Sequence, residues 1–206
     1  MKKWYGRLIA TSFTKDQFPP EKYPEIAFAG RSNVGKSSLI NLLLGTKIAK
    51  VSNNPGKTRS INFYMVEAKN KFCLVDLPGF GYAKRDKAER NKWAKLIDFY
   101  SKQRSSLILV VHLVDFRHGF LENDILLQNW MKTQELQSLV VFTKVDKVPT
   151  TKRLNYLKKY AGKMLPEVFG PLCVSSVDKT GLDELKGFLM SYIDMKLDKT
   201  QKENIN

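Results

Sequence analysis

The sequence predicts a three-layer α/β fold, in which helices cover both faces of a mostly parallel six-stranded sheet with one antiparallel strand. Short apolar segments that suit buried strands alternate along the chain with segments of helical periodicity. The run Leu107 to Val114 is continuously apolar, which is typical of a central parallel strand. Polar signatures follow several strands at their carboxyl ends, which is where ligands bind in open α/β sheets.

The first 24 residues are predicted to form an N-terminal arm. Pro19, Pro20 and Pro24 disfavour regular structure just ahead of the first clear strand. Within the arm, residues 7–10 are either an edge strand or a pinned extended segment. Residues 25–196 are predicted to form the single folded domain, and residues 197–206 a polar, disordered tail.

The strongest motif is a glycine-rich loop at residues 30–37, which reads GRSNVGKS and has the form G-x-x-x-x-G-K-S of a phosphate-binding loop. A predicted strand precedes it and a predicted helix follows it. Glycines let backbone N–H groups approach phosphate oxygens, and a helix N-terminus adds partial positive charge. Lys36 is expected to reach the β- and γ-phosphates, and the Ser37 hydroxyl is expected to bind Mg²⁺.

A long polar segment, residues 46–60, comes next and contains NNPGKT. A loop of this length in a compact domain usually has a function, and beside a phosphate loop it is predicted to be a nucleotide-ordered switch. Two strands joined at residues 69–71 should then form an antiparallel hairpin. The second strand ends in Asp76-Leu77-Pro78-Gly79, and Asp76 there is predicted to supply a second Mg²⁺ contact.

Four helices are predicted in the second half of the chain. One has Trp93, Leu96, Ile97 and Tyr100 on a single face, and another, residues 122–132, is expected to bury Ile125, Leu126 and Trp130. The remaining two carry the apolar stripes Leu154, Leu157, Ala161 and Met164, and Leu182, Leu185, Phe188, Leu189 and Tyr192.

The segment Thr143-Lys144-Val145-Asp146 follows another buried strand and is predicted to select guanine. The Asp146 carboxylate can accept hydrogen bonds from N1–H and the 2-amino group of guanine, whereas adenine would leave it unpaired. The aliphatic stem of Lys144 can lie over the base plane. Backbone N–H groups near Ser176 are expected to meet the guanine O6.

Composition narrows the class of partner. The chain has 206 residues with 35 Lys and Arg against 20 Asp and Glu, a net charge of +15, which favours a polyanionic partner, either nucleic acid or an anionic membrane. Two cysteines in apolar runs predict reduced, buried thiols, and no secretory signal or membrane-spanning segment is expected, so a cytoplasmic location is predicted.

The ordered segments GRSNVGKS, PGKTRSINFY, DLPGFGYAK, DFRHG, TKVD and VSS resemble the EngB family of bacterial GTPases over about residues 5–195. The resemblance implies a P-loop NTPase fold of the Ras-like G-domain type that hydrolyses GTP to GDP and phosphate. It implies a switch in assembly of the large (50S) ribosomal subunit and, in some bacteria, a role in cell division and septation. The implied partners are GTP, GDP and ribosomal RNA. A monomer without sequence-specific DNA binding is expected.

The resemblance also assigns site residues. Ser37 and Thr58 are the implied side-chain ligands of Mg²⁺, Asp76 acts on the metal through water, and Asn33 is a candidate K⁺ ligand. The nucleotide contacts implied are Gly30, Arg31, Ser32, Asn33, Val34, Gly35, Lys36, Ser37, Ser38, Gly56, Lys57, Thr58, Arg59, Ser60, Asp76, Leu77, Pro78, Gly79, Thr143, Lys144, Val145, Asp146, Val174, Ser175 and Ser176.

Phe80 stands where many small GTPases have the glutamine that orients the attacking water. A phenyl ring cannot do this, so slow intrinsic hydrolysis is predicted and no catalytic residue is assigned. Three alternatives to a hydrolysing switch remain open: a GTP-dependent binding module, a kinase and a membrane-binding protein. His112 is expected to be a core histidine with its hydrogen bonds satisfied, and Arg117 and His118 have no assigned role.

Overall fold

A computed structural model describes residues 3–51, 60–80, 87–166 and 168–203, and the side chains of all of these except residues 87–93 and 200–203. The strands are β1 (Tyr5–Ser12), β2 (Glu25–Gly30), β3 (Ile61–Glu67), β4 (Lys71–Asp76), β5 (Leu107–Asp115), β6 (Ser138–Thr143) and β7 (Phe169–Cys173). The helices are α1 (Lys36–Leu44), α2 (Lys87–Gln103), α3 (Glu122–Thr133), α4 (Thr150–Ala161) and α5 (Leu182–Glu203).

The sheet confirms the predicted α/β class. Its strand order is β1-β3-β4-β2-β5-β6-β7, and β3 runs in the opposite direction to the other six strands. The described part of the sheet has seven strands rather than six, because the arm contributes β1 to its edge. All residues of β2 and β6 are buried, as expected for strands covered on both faces.

The arm is held in place by an aromatic anchor. Trp4 is 2% exposed, and its ring meets Phe72 edge-on with 5.1 Å between centroids. Lys186 of α5 lies over the same indole at 5.1 Å. Burial of so large a ring and pairing of β1 with β3 together offset the entropy lost in ordering a short terminal strand. The edge-strand alternative for residues 7–10 is therefore the correct one.

A buried ion pair fixes the end of the arm to α2. Glu25 is 1% exposed and is paired with Arg104, and it also accepts a hydrogen bond from the Tyr100 hydroxyl at 2.9 Å. Arg104 donates in addition to the carbonyl of Pro19 at 2.8 Å. Every charge in this cluster has a partner, which is the condition for burying charge without a large penalty.

Three helix predictions need correction. In α3 the buried apolar residues are Leu127 and Met131, while Leu126 is half exposed. In α4, Leu154 is 62% exposed and Ala161 is exposed as well, and the buried residue is Tyr160. The last helix continues to Glu203 through most of the segment predicted as a disordered tail, since its Lys, Gln and Glu residues are good helix formers.

No helix among the described residues is long and apolar enough to cross a bilayer. Cys73 and Cys173 are free thiols, as predicted, but only Cys73 is buried, and Cys173 is partly exposed. Burial raises the pKa of the Cys73 thiol to about 12, so it stays protonated and unreactive at neutral pH.

Candidate functional site

The phosphate loop connects β2 to α1 at the carboxyl edge of the sheet. Asn33 and Gly35 have positive φ angles of 62° and 105°, and Gly35 immediately precedes the first residue of α1. Asparagine and glycine are the residues that adopt this backbone at least cost. The loop therefore turns sharply and directs its N–H groups and the N-terminus of α1 to one side, which suits an anion.

Lys36, Ser37 and Asp76 meet beneath the loop. The Lys36 ammonium lies 2.8 Å from Asp76 Oδ1, and the two side chains are 8% and 3% exposed. The Ser37 hydroxyl donates to Asp76 Oδ2 at 3.4 Å. A hydroxyl and a carboxylate oxygen this close, at the end of β4 and the start of α1, form the hard-oxygen donor set that Mg²⁺ prefers.

The segment after Asp76 packs directly on the phosphate loop. The N–H of Leu77 donates to Phe28 at 3.1 Å, and the N–H of Phe80 donates to Gly30 at 2.9 Å. A Cβ at Gly79 would stand 2.5 Å from the Ser32 Oγ. The Ser32 backbone would also lie 3.0 Å from that Cβ, so glycine at position 79 favours close approach to the loop. The Phe80 side chain packs against the apolar cluster on the α2 side of the sheet.

Residues 143–146, the segment predicted to select the base, are hydrogen-bonded to the same loop. The Thr143 hydroxyl donates to the carbonyl of Val34 at 2.7 Å, and the Lys144 ammonium donates to the carbonyl of Asn33 at 2.6 Å. Lys144 itself has a left-handed backbone, with φ of 59°. This conformation turns its side chain back across the phosphate loop. The phosphate and base regions predicted separately from the sequence are therefore one connected structure.

Asp115 is a site residue that the sequence analysis missed. It ends β5, is 3% exposed, and lies 3.0 Å from the Lys144 ammonium. Arg117 binds both carboxylate oxygens, Nε to Oδ1 at 2.9 Å and Nη2 to Oδ2 at 2.7 Å. Burial opposes the charge of Asp115, but hydrogen bonds from Arg117 and Lys144 outweigh it and lower its pKa to about 2. Arg117 thus fixes Asp115, and Asp115 fixes Lys144.

Asp146 is oriented by the last loop of the site. Its Oδ1 accepts a hydrogen bond from the Ser175 hydroxyl at 2.8 Å, and its Oδ2 lies 3.4 Å from Lys147. The Ser175 Oγ in turn accepts the N–H groups of Val177 and Asp178 at 3.1 and 3.3 Å. The serine holds both the carboxylate and its own loop, which prepares Asp146 to accept hydrogen bonds from a base.

Behind the phosphate loop lies a second buried polar cluster. The Arg31 Nε is 3.5 Å from Asp124 Oδ2, and His112 Nε2 is 3.8 Å from Asp124 Oδ1. Asp124 also accepts the N–H of Leu121 at 3.0 Å, which caps α3. His112 is fully buried, as expected of a core histidine, but within the described residues neither of its nitrogens is hydrogen-bonded, so the expectation of satisfied hydrogen bonds is wrong. Its neighbour is instead a carboxylate just beyond hydrogen-bonding distance.

The remaining predicted site residues fall into two groups. Val174 and Val145 are buried, and the N–H of Val145 donates to Val174 at 3.4 Å, while Ser176 is exposed. Ser60 donates to Asn62 at 3.2 Å at the start of β3. Gly56, Lys57, Thr58 and Arg59 lie outside the described residues. Their predicted nucleotide contacts, and the predicted role of Thr58 as a ligand of Mg²⁺, therefore stay predictions.

Comparison with known proteins identifies similar chains. A family model described as "50S ribosome-binding GTPase" matches residues 25–144. The chain is 46% identical over 180 residues to a Streptococcus mutans protein, covering 85% of this chain and 89% of that one. It is 43% identical over 191 residues to a Clostridium kluyveri protein, covering 92% and 96%. Both relatives are named "Probable GTP-binding protein EngB".

Solved structures agree in fold. A crystal structure of Era bound to MgGDPNP and nucleotides 1506–1542 of 16S ribosomal RNA is 26% identical and superimposes with a TM-score of 0.70, covering 83% of this chain and 57% of that one. A crystal structure of a GTP-binding protein named engB, also 26% identical, gives 0.62 and covers 83% and 99%.

Proposed function

This chain belongs to the EngB family of GTP-binding P-loop GTPases, and from that premise we propose that it hydrolyses GTP as a switch in assembly of the large ribosomal subunit. One observation carries the nucleotide part of the proposal. Thr143 and Lys144 of the base-selecting segment are hydrogen-bonded to Val34 and Asn33 of the phosphate loop, so both ends of one nucleotide have adjoining binding groups.

Each group has a separate task in this proposal. The loop N–H groups and Lys36 bind the phosphates and offset the charge that develops during transfer to water. Lys144 covers the base, and Asp146 accepts hydrogen bonds from its guanine edge. Gly79 allows the segment after Asp76 to lie against the loop, where a change at the γ-phosphate is transmitted to the residues that follow.

Mg²⁺ fits the oxygen donors of this site, with Ser37 and Thr58 as proposed ligands and Asp76 acting through water. When bound, the ion supplies positive charge to the β- and γ-phosphate oxygens. We also propose Asn33 as a K⁺ ligand beside the phosphates. Equal hydrolysis rates in K⁺ and Na⁺ would remove that assignment.

The ribosomal part of the proposal is supported by three facts. The matching family model carries the description of a 50S ribosome-binding GTPase, the similar Era structure contains ribosomal RNA, and the chain has a net charge of +15. Such a charge supplies salt-dependent affinity for phosphates without reading sequence. The proposal also includes a cytoplasmic location, a monomeric state and a link to cell division and septation.

Phe80 favours a second candidate, a GTP-dependent ribosome-binding module with negligible intrinsic hydrolysis. The side chain packs into the core and offers no group that could orient water. Single-turnover hydrolysis with and without large subunits separates the two functions: a switch is accelerated by subunits, whereas a module is not. Binding of labelled GTP, GDP and ATP, followed by large-subunit pull-down in each nucleotide state, tests the whole proposal. Equal pull-down with GTP and GDP analogues would reject the switch.

A further inference from the structure

One helix carries a disproportionate share of the positive charge. Residues 150–163, which comprise α4 and the turn after it, contain five Lys and Arg residues and no Asp or Glu. The whole chain has fifteen more Lys and Arg residues than Asp and Glu residues, and these fourteen positions supply a third of that excess. Arg153 has a structural role, because its Nε donates to the carbonyl of Val148 at 3.0 Å. The α4 lysine face comprises the other four, Lys152, Lys158, Lys159 and Lys163.

These four lysines point away from the core. All are exposed, whereas Tyr160 of the same helix is buried. None of them has an acidic partner among the described residues. Some exposed lysines on other elements are paired, as Lys71 is with Glu67 and Lys102 with Asp98. The positive field of the α4 lysine face is therefore not neutralised by its own protein.

We propose that the α4 lysine face binds the phosphate backbone of RNA, an inference that rests on the ribosomal function proposed above and locates its contact surface. Lys152 and Lys159 are seven residues apart, which is about 10 Å along a helix, and this matches about three phosphates of one strand. The face is poorly suited to lipid. Leu154 is the large exposed apolar residue of α4, and one such residue does not make the apolar stripe that an interfacial helix inserts.

The helix is also joined to the base region. The Tyr160 hydroxyl donates to the carbonyl of Phe116 at 3.2 Å, and the Tyr160 ring packs so closely on Gly119 that a Cβ there would overlap it. Phe116 directly follows Asp115, whose carboxylate holds Lys144. RNA on α4 would thus contact an element packed on the loop that positions the base-covering lysine.

The test compares two variants with a matched control on purified large ribosomal subunits with GDPNP, between 50 and 200 mM KCl. The first variant is K152Q/K158Q/K159Q/K163Q, and the second is Lys158→Glu with Lys159→Glu. The control is K22Q/K71Q/K95Q/K102Q, which removes the same charge from exposed positions on other elements. Melting temperature with GDP present reports folding, and the two-site variant serves if the four-site variant melts early.

The expected result is a loss specific to the α4 variants. Affinity at 100 mM KCl falls at least about tenfold, and the slope of log affinity against log salt decreases by about 3, since each phosphate contact contributes about 0.7 to 0.9. The control changes affinity by less than about threefold. If the wild type does not bind subunits, the ribosomal function and this inference both fail. If it binds and the α4 variants match the control, the inference alone fails. If the α4 variants lose binding to phosphatidylglycerol vesicles but still bind subunits normally, the inference of RNA binding is overturned in favour of a lipid surface.

Discussion

The Asp115→Asn substitution tests whether Asp115 organises the base region. The carboxyl has a pKa of about 2 instead of 3.8, because bonds from Arg117 and Lys144 outweigh the effect of burial. A carboxyl whose pKa is lowered by folding stabilises the folded state at pH values above its unfolded-state pKa. That stability disappears as the pH falls from about 4 towards 2. The shift corresponds to about 2.4 kcal/mol at pH 7 and about 1.3 kcal/mol at pH 3.

The assay is urea unfolding followed by tryptophan fluorescence at pH 7 and pH 3. Asp115→Asn should lower the free energy of unfolding by about 2 kcal/mol at pH 7 and by about half as much at pH 3. It should also lower the affinity for labelled GDP about five- to tenfold, because Lys144 loses its fixed position. The matched control is Asp98→Asn, which removes an exposed pair with Lys102 and should cost less than about 0.5 kcal/mol. Equal losses for both variants at pH 7, or a loss for Asp115→Asn that does not change at pH 3, would refute the reasoning.

Three further predictions concern the site. Thr143→Val should weaken GDP about tenfold by removing the hydroxyl bond to the loop, while Thr143→Ser keeps affinity near wild type; equal effects in fluorescence titration would contradict this. Asp146→Asn should lower GDP affinity at least about 100-fold and make xanthosine diphosphate the better ligand, because an amide can donate to the 2-carbonyl of xanthine; competition binding measures both. Gly79→Ala should cost about 1 to 3 kcal/mol through contact with Ser32, whereas Gly162→Ala, with open space around its Cβ, should not destabilise; thermal unfolding of the pair decides.

Local patterns were sufficient to predict six of the seven described strands and the phosphate loop. Each of these features is specified by a few neighbouring residues. The strand β5 follows from its continuous apolar run, and the loop follows from the spacing of Gly30, Gly35 and Lys36. Strand–helix alternation then brings the carboxyl ends of the strands to one edge. The convergence of Asp76 and residues 143–146 on the phosphate loop follows from topology alone.

Contacts between distant residues were the part that local patterns could not supply. The edge strand β1 depends on Trp4 meeting Phe72, which is invisible in a segment of mixed polarity. The exposure of Leu126 and Leu154 depends on which helix face the neighbouring elements cover. Asp115 did carry a usable signal: an aspartate ends the central apolar run, and Arg117 follows two residues later, close enough to bind it.

The two hydrogen bonds from residues 143 and 144 to the phosphate loop limit how this protein can be re-engineered. An exchange of residues 143–146 as a cassette, intended to install a different preference for the base, would also remove the donors that shape the loop at Val34 and Asn33. Such a chimaera would have a lower affinity for every nucleotide. Asp146 is the separable unit, because its partners Ser175 and Lys147 lie outside the loop. An orthogonal GTPase based on this chain should therefore be built from that one side chain outward.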